Sequence, residues 1–484
     1  MMSKLASLSV GMKASIVYVA ATLLSRGLTI ITMPIFTRLM SPADIGLVNI
    51  YTSWSALLGG AVALSLTSGG FQVALHKFKE ERDEYLSSMV SLTSLSACIC
   101  LCIYLYNYKV FNLYSGLSTE MSIMMLTGFI IQPAFDFWLA RQRYEYNFKS
   151  VGAITIVSSV LTAAISVCAI IFANQNSMEG LGEIRLVAGN VIPYLLAATI
   201  WGKLLLNGKV LYNKKFWIFS LSLSIPMLGN TIASQVLSVS DRIMISNFVD
   251  NFAVGIYGTL YSISSISTIV WGAINSSFVP YLFENINSVE QQKSIKQISA
   301  KLLLFFACAV IVISLIAPEM VMILATEEYF EAVYIVPPII AGVYFISISN
   351  MFSNVLLYHE CSKYIMVASV IAALVNIVLN YITIPLWGYM SAAYTTLASY
   401  MLLALIQAII STKVHRECVN NMQASVYDNN AMLKISILAV VGCMLCVFLY
   451  EHNVIRYSVF LVFFIVLLGF KNKVIDIIKF KKEG

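Results

Sequence analysis

Apolar residues fill this chain in long unbroken runs, and polar residues fall between the runs instead of alternating with apolar ones. The stretch "VGAITIVSSVLTAAISVCAIIFA", residues 151–173, carries no charge over 23 positions. At about 1.5 Å of rise per residue, about 20 such residues cross a hydrocarbon core about 30 Å thick. Runs of this kind predict fourteen membrane-spanning helices, near 14–35, 45–66, 85–108, 118–139, 151–173, 186–206, 217–239, 251–278, 299–317, 332–351, 364–384, 388–411, 433–450 and 455–471. Merged spans would lower the count to twelve or thirteen. The connections are short, with the longest near 67–84, 279–298 and 412–432.

Composition gives the same class. The 484 residues are 59% hydrophobic and 11% charged, with a mean hydropathy of +0.83, whereas soluble domains carry about 25% charged residues. The fold class is therefore an all-α polytopic membrane protein. The connections leave no room for a soluble catalytic or nucleotide-binding domain, and no GxxxxGK[ST] phosphate loop occurs, which argues against an enzyme and against direct ATP drive. The first run follows Lys4 and Lys13 but is too long for a signal-peptide core and lacks a small-x-small cleavage site. It reads as a first spanning helix.

Lysine and arginine usage tests this topology, because short cytoplasmic loops are rich in both. With the N-terminus inside, 24 of the 30 basic residues fall on the cytoplasmic side and five (Arg38, Lys109, Arg185, Arg242 and Arg456) on the other. The remaining one is Arg26, within the first span. Both termini are expected to be cytoplasmic. Nine cysteines are scattered, most within apolar runs, and Cys443 with Cys446 has neither a second pair nor a histidine nearby. They read as small apolar residues, and no metal site is expected.

A repeat is also visible. "TRLMSPADIGLVNIY" from Thr37 aligns without gaps to "SNFVDNFAVGIYGTL" from Ser246, an offset of 209 residues that pairs Gly46 with Gly255. Six spans separate the two copies. An even shift preserves orientation, so the expected plan is two parallel six-helix lobes, 1–210 and 211–415, followed by two further helices and a basic cytoplasmic tail over 416–484.

The opening stretch, "LLSRGLTIITMPIFTRLMSPADIGLVNIYTSW", resembles that of bacterial polysaccharide flippases of the Wzx type, in the multidrug/oligosaccharidyl-lipid/polysaccharide exporter superfamily. Pro34, Arg38, Leu39, Pro42 and Gly46 fill the pattern's places. "SVSDRIMISNFVDNFAVGIYGTLYSI", residues 238–263, is similar to the family's second signature, and "WGAINSSFVPYLFE" and "IPLWGYMSAAYTTLASY" match it in character. The resemblance implies a flippase in the bacterial inner membrane that moves undecaprenyl-pyrophosphate-linked oligosaccharide for O-antigen or capsule assembly. It further implies alternating access of two lobes around a cavity. A polysaccharide polymerase and a chain-length regulator are candidate partners; nucleic acid is not.

On that reading Arg26 would meet the pyrophosphate, since guanidinium is always charged and matches phosphate oxygens with forked donors. A structural ion pair is its other reading. Asn230, Gln235, Tyr257, Tyr261 and Asn275 would line the sugar cavity; Gln132, Asn376 and Asn380 are further polar residues within spans. Each can equally join helices or belt the interface. Asp136 is expected to pair with Arg141 or Arg143, and Arg38, Asp241 and Arg242 to form a lobe-to-lobe latch or solvated helix ends. Pro226, with Gly229 and Asn230, is a candidate hinge. His359 and Glu360 are candidates for proton coupling or a wet helix end. No cofactor is expected beyond a proton or sodium gradient.

Competing readings are a cation-coupled multidrug exporter, a peptidoglycan-precursor flippase of the same superfamily, and a membrane polymerase or glycosyltransferase. The first needs acidic residues deep in a lobe. The second calls for several deep arginines. The third needs large external loops.

Overall fold

The computed structural model describes residues 10–67, 70–288, 290–420 and 424–479, which are helical with no strand. Among the described residues, thirteen segments are long and apolar enough to cross a membrane, and a shorter apolar stretch, Asn453–Ile465, opens the last helix. These elements occupy the fourteen expected places, and most run a few residues beyond the expected bounds. The chain is a multi-pass membrane protein.

Two compact units divide the chain, one ending at Gly255 and the other opening at Ile256. The first holds α1 (Val10–Leu39), α2 (Pro42–Val62), α3 (Phe71–Lys77), α4 (Arg82–Ser115), α5 (Thr119–Tyr144), α6 (Phe148–Gln175), α7 (Leu181–Gly208) and α8 (Lys214–Phe248). The boundary falls within α9 (Asn251–Ser264). The second unit continues with α10 (Ile266–Asn285), α11 (Gln292–Leu315), α12 (Ala317–Leu324), a 3-10 stretch (Glu327–Ile335) and α13 (Val336–Tyr358). It closes with α14 (Ser362–Trp387), α15 (Ser391–Val419), α16 (Asn429–Leu449) and α17 (Asn453–Lys479). By contact, α8 belongs with the first unit, where it packs along α2 and α4.

Local chemistry sets the helix ends. Ser41 caps α2: its Oγ accepts from the Asp44 backbone N–H at 3.2 Å, and Asp44 Oδ2 accepts from the Ser41 N–H at 3.3 Å. Pro42 follows at the first helical position, where its missing N–H costs nothing. Asp44 Oδ1 also accepts from the Gly182 N–H at 3.0 Å, tying the start of α7 to that of α2. Ser118, Asn213 and Asp428 cap α5, α8 and α16 with side-chain oxygens in the same way.

The segment 67–84, expected to be a plain connection, contains α3. Phe71, Ala74, Leu75 and Phe78 recur at i, i+3, i+4 and i+7 and are all buried, which makes one apolar face. Seven residues are too few for that period to stand out in a hydropathy scan. The face closes an aromatic core with α4 and α8, where the Phe78 and Phe216 rings lie 4.8 Å apart and Tyr85 stacks on Phe78 at 5.5 Å. Tyr85 Oη and Ser220 Oγ, both buried, share a hydrogen bond of 2.9 Å, which satisfies both hydroxyls.

Ion pairs tie the nearby helix ends together. Arg141 pairs with Asp83 of α4 and, at 3.0 Å, with Glu145, while Arg82 reaches Glu145 at 3.6 Å. Asp136 does not share in the Arg141 pairs; the charge that acts on it is that of Arg143, seven residues on along the same face. The reason is helical geometry: Glu145 lies four residues from Arg141 on the same face, whereas Asp136, five residues before it, points about 140° away.

The two glycines paired by the repeat are in contact. A Cβ built on Gly46 would lie 1.8 Å from the Asn251 carbonyl oxygen and 3.1 Å from the Gly255 nitrogen. One built on Gly255 would lie 1.8 Å from the Pro42 carbonyl oxygen and 3.1 Å from the Gly46 nitrogen. The first turns of α2 and α9 therefore cross backbone to backbone, and no side chain fits between them.

In the second unit α13 is the central element, buried along most of its length and packed mainly on α15. Polar contacts join these helices. Ser349 and Ser353 both donate to Gln407 Oε1, at 2.6 and 2.9 Å, and Tyr427 Oη donates to the Met351 carbonyl at 3.0 Å. Cys443 and Cys446 are buried in α16, with Cys443 against Ser314. That is the packing role of a small apolar thiol.

Candidate functional site

A cavity of about 550 Å³ opens inside the first unit among α1, α2, α5, α6 and α7. The contribution of α1 is Ser25, Thr29 and Thr32, spaced i, i+4 and i+7 on one stripe that ends at Phe36. Thr52 of α2 and Gln132 of α5 add polar groups, as do Ser159 and Ser166 of α6. Arg185 and Asn190 come from α7, with the Arg185 guanidinium 3.8 Å from the Phe36 ring centroid. Arg185 is the one charged residue in this lining among the described residues.

The hydrogen bonding gives the cavity a chemical character. Ser159 donates to the Thr155 carbonyl at 2.7 Å, Thr32 to Leu28 at 2.9 Å and Thr52 to Val48 at 3.0 Å. Asn190 Nδ2 donates to Leu186 at 2.8 Å. Spending their hydroxyl hydrogens on the preceding helical turn leaves the serine and threonine oxygens with lone pairs, and Asn190 keeps its Oδ1 as an acceptor beside one further N–H. Pro193 adds another acceptor: lacking an N–H, it frees the carbonyl four residues earlier, at Gly189, and both residues line the cavity. The lining is thus rich in acceptors. It suits a ligand that presents many O–H groups.

The sequence-predicted residues are distributed unevenly around this cavity. Gln132 lines it. Arg26 is exposed on the face of α1 about 100° from Ser25, which itself shares a 2.8 Å hydrogen bond with Ser159 of α6. Arg38 Nη1 donates to the Pro34 carbonyl at 3.1 Å, and Asp241 is buried, with Oδ1 accepting from the Arg242 N–H at 2.8 Å. Pro226 lies within α8, and Asn230 and Gln235 are half-buried on the same helix.

In the second unit, Tyr257 is fully buried. Tyr261 is half-buried, its hydroxyl 3.4 Å from that of Tyr400. Asn275 Oδ1 accepts from Asn354 Nδ2 at 3.1 Å, an interhelical contact between α10 and α13. Asn376 and Asn380 are buried with Thr395 between α14 and α15.

The hydroxyl stripe of α1 was missed in the sequence, although serine and threonine at i, i+4 and i+7 in an apolar run are a readable signal. His415 was missed as well. His359 Nε2 and His415 Nδ1 lie 3.0 Å apart and join the ends of α13 and α15, while Glu360 beside them is exposed. Two neutral imidazoles form this bond, one donating and one accepting; two protonated ones cannot. Burial holds His359 below its ordinary value, so its stabilisation is complete above pH about 6.5 and is lost as pH falls. The thermal midpoint of the purified protein should drop between pH 7.5 and 5.5, with a smaller drop in His359→Gln. Equal drops in both proteins would argue against the pair as the cause.

A family model described as polysaccharide biosynthesis protein matches residues 12–286, 275 of the 484 positions. The chain belongs to the polysaccharide biosynthesis protein family. No curated protein matches it in sequence. Among solved structures, this polysaccharide biosynthesis protein is similar to the lipid II flippase MurJ in an inward closed conformation, with a TM-score of 0.66 and 18% identity over 95% of this chain and 100% of the other. It is also similar to an inward-facing multidrug resistance MATE family transporter of the MOP superfamily, with a TM-score of 0.60 and 12% identity over 82% and 96% of the two chains. A Vibrio cholerae MATE transporter matches at a TM-score of 0.52 and 12% identity over 86% and 98%. At these identities the likeness is one of fold, and it is a fold of transporters and flippases. The polysaccharide biosynthesis protein is accordingly a multi-pass protein of the inner membrane.

Proposed function

We propose that this family member is a flippase that carries undecaprenyl-pyrophosphate-linked oligosaccharide across the inner membrane for O-antigen or capsule assembly. The family match over residues 12–286 carries this reading. The acceptor-lined cavity of the first unit supports it, because sugars present hydroxyl donors to such walls. Arg26 serves the pyrophosphate, and the long isoprenoid tail stays in lipid. The repeat lobes, 1–210 and 211–415, alternate access with Pro226 as a hinge and Arg38, Asp241 and Arg242 as a latch. A proton or sodium gradient supplies the drive, with His359 and Glu360 as the coupling residues. A polymerase receives the product.

A peptidoglycan-precursor flippase is the second reading, favoured by the TM-score of 0.66 to MurJ. Deleting the gene and weighing the lipid-linked glycans that build up in the membrane distinguishes the two. The proposal expects an undecaprenyl-pyrophosphate oligosaccharide repeat unit with peptidoglycan synthesis intact. Accumulation of the peptidoglycan precursor alone would overturn it.

A further inference from the structure

The second unit contains a larger cavity, about 1070 Å³, that none of the roles above uses. It is a groove with α13 as its floor, where Ile348 and Phe352 are buried, and with α15 and α16 as its rims. The rim residues Ile409 and Leu433 are each 61% exposed, so the groove opens outward to whatever surrounds the helices. In a membrane-spanning protein that surrounding is lipid tails. Along α15 the stretch of lining from Met401 to Lys413 covers twelve residue steps, about 18 Å of helix. One leaflet of a ~30 Å core is about as deep.

Charge marks one end only. Lys413 and Arg416 line the mouth where α15 leaves its apolar stretch. Arg416 Nε donates to the Ala424 carbonyl at 3.1 Å, which holds the guanidinium at that mouth. Glu417 also lines the mouth, 4.0 Å from Lys413, but both side chains are mostly exposed, and so loose a pair neutralises little. Lys434, exposed on α16 beside Leu433, adds a further positive charge on the opposite rim.

We propose that this groove is a resident site for an anionic glycerophospholipid, with an acyl chain along α13 and the phosphate at Lys413 and Arg416. The groove matches the occupant at both ends: leaflet-deep apolar walls for the chain and a cationic mouth at headgroup depth. A zwitterionic lipid fills the walls equally well but gains less at the mouth. In the orientation given by the lysine and arginine count, the leaflet is the cytoplasmic one.

The test uses the full chain purified in detergent and titrated with phosphatidylglycerol or with phosphatidylcholine of the same acyl chains, with bound lipid counted by native mass spectrometry. Two cations at about 1 kcal/mol each predict about 30-fold preference for phosphatidylglycerol. Lys413→Gln should lower phosphatidylglycerol binding about fivefold and leave phosphatidylcholine unchanged. The Lys413 side chain is 77% exposed, so that variant keeps the fold. Ile409→Trp, which narrows the groove, should lower binding of both lipids. Equal binding of the two lipids, or no effect of either variant, would overturn the proposal. Displacement of phosphatidylglycerol by equimolar undecaprenyl phosphate would overturn it too, by assigning the groove to an isoprenoid chain. None of these outcomes depends on which glycan the protein transports.

Discussion

Gly46→Ala is expected to be the most damaging single methyl group in this protein. The added Cβ would sit 1.8 Å from the Asn251 carbonyl oxygen, and the obstacle is backbone, which has no rotamer to change. Overpacking in a core that can relax costs about 1–3 kcal/mol; a clash between two helix backbones should exceed that range. Loss of folded protein from the membrane fraction, or a large fall in thermal midpoint in detergent, is the expected readout. Gly255→Ala should behave alike, since its Cβ would meet the Pro42 carbonyl oxygen at the same distance. Gly272→Ala is the control. That helical glycine has nothing within 4 Å of its built Cβ, and alanine there should be neutral or stabilising by up to ~1 kcal/mol. A Gly46→Ala protein as heat-stable as the parent would refute the crossing.

The second large effect is functional. Arg26→Ala should cut surface polysaccharide by about 10- to 100-fold, because hydrogen bonds to a charged group contribute about 1.5–3 kcal/mol and ~1.4 kcal/mol is a factor of ten. Protein in the membrane should stay at the parental amount, since Arg26 is exposed on its helix. Arg26→Lys should restore output only in part: it keeps the charge but loses the forked donors. Full polymer from the alanine variant would remove Arg26 from the substrate path.

Span number and order were legible because each apolar run is longer than any soluble helix requires. The ends were less so. Helices such as α4, at 34 residues, and α8, at 35, continue past the hydrocarbon into polar sequence that hydropathy assigns to loops. Amphipathic α3 was invisible for the opposite reason, its apolar face being only two turns long. For the site, a charge at membrane depth drew notice to Arg26, while the wall of the cavity is made by serines and threonines that look ordinary singly. Their function lies in direction, towards α6 and α7, and direction comes only from packing. The same holds for Tyr257, Asn275 and the missed His415: composition shows that polar groups are present, and only the neighbouring helix decides whether each meets a partner or a ligand.

The crossing of α2 and α9 carries one more consequence. Gly46 abuts residue 251 and Gly255 abuts residue 42; residue 255 lies 209 beyond residue 46, and residue 251 lies 209 beyond residue 42. Such reciprocity, where i meets j and j meets i, defines an isologous contact between two identical subunits on a two-fold axis. The crossing is therefore self-complementary: each glycine meets the counterpart, in the aligned stretch, of the residue that the other meets. Because the obstacle at each glycine is backbone, a side chain added at one cannot be accommodated by a substitution at the other.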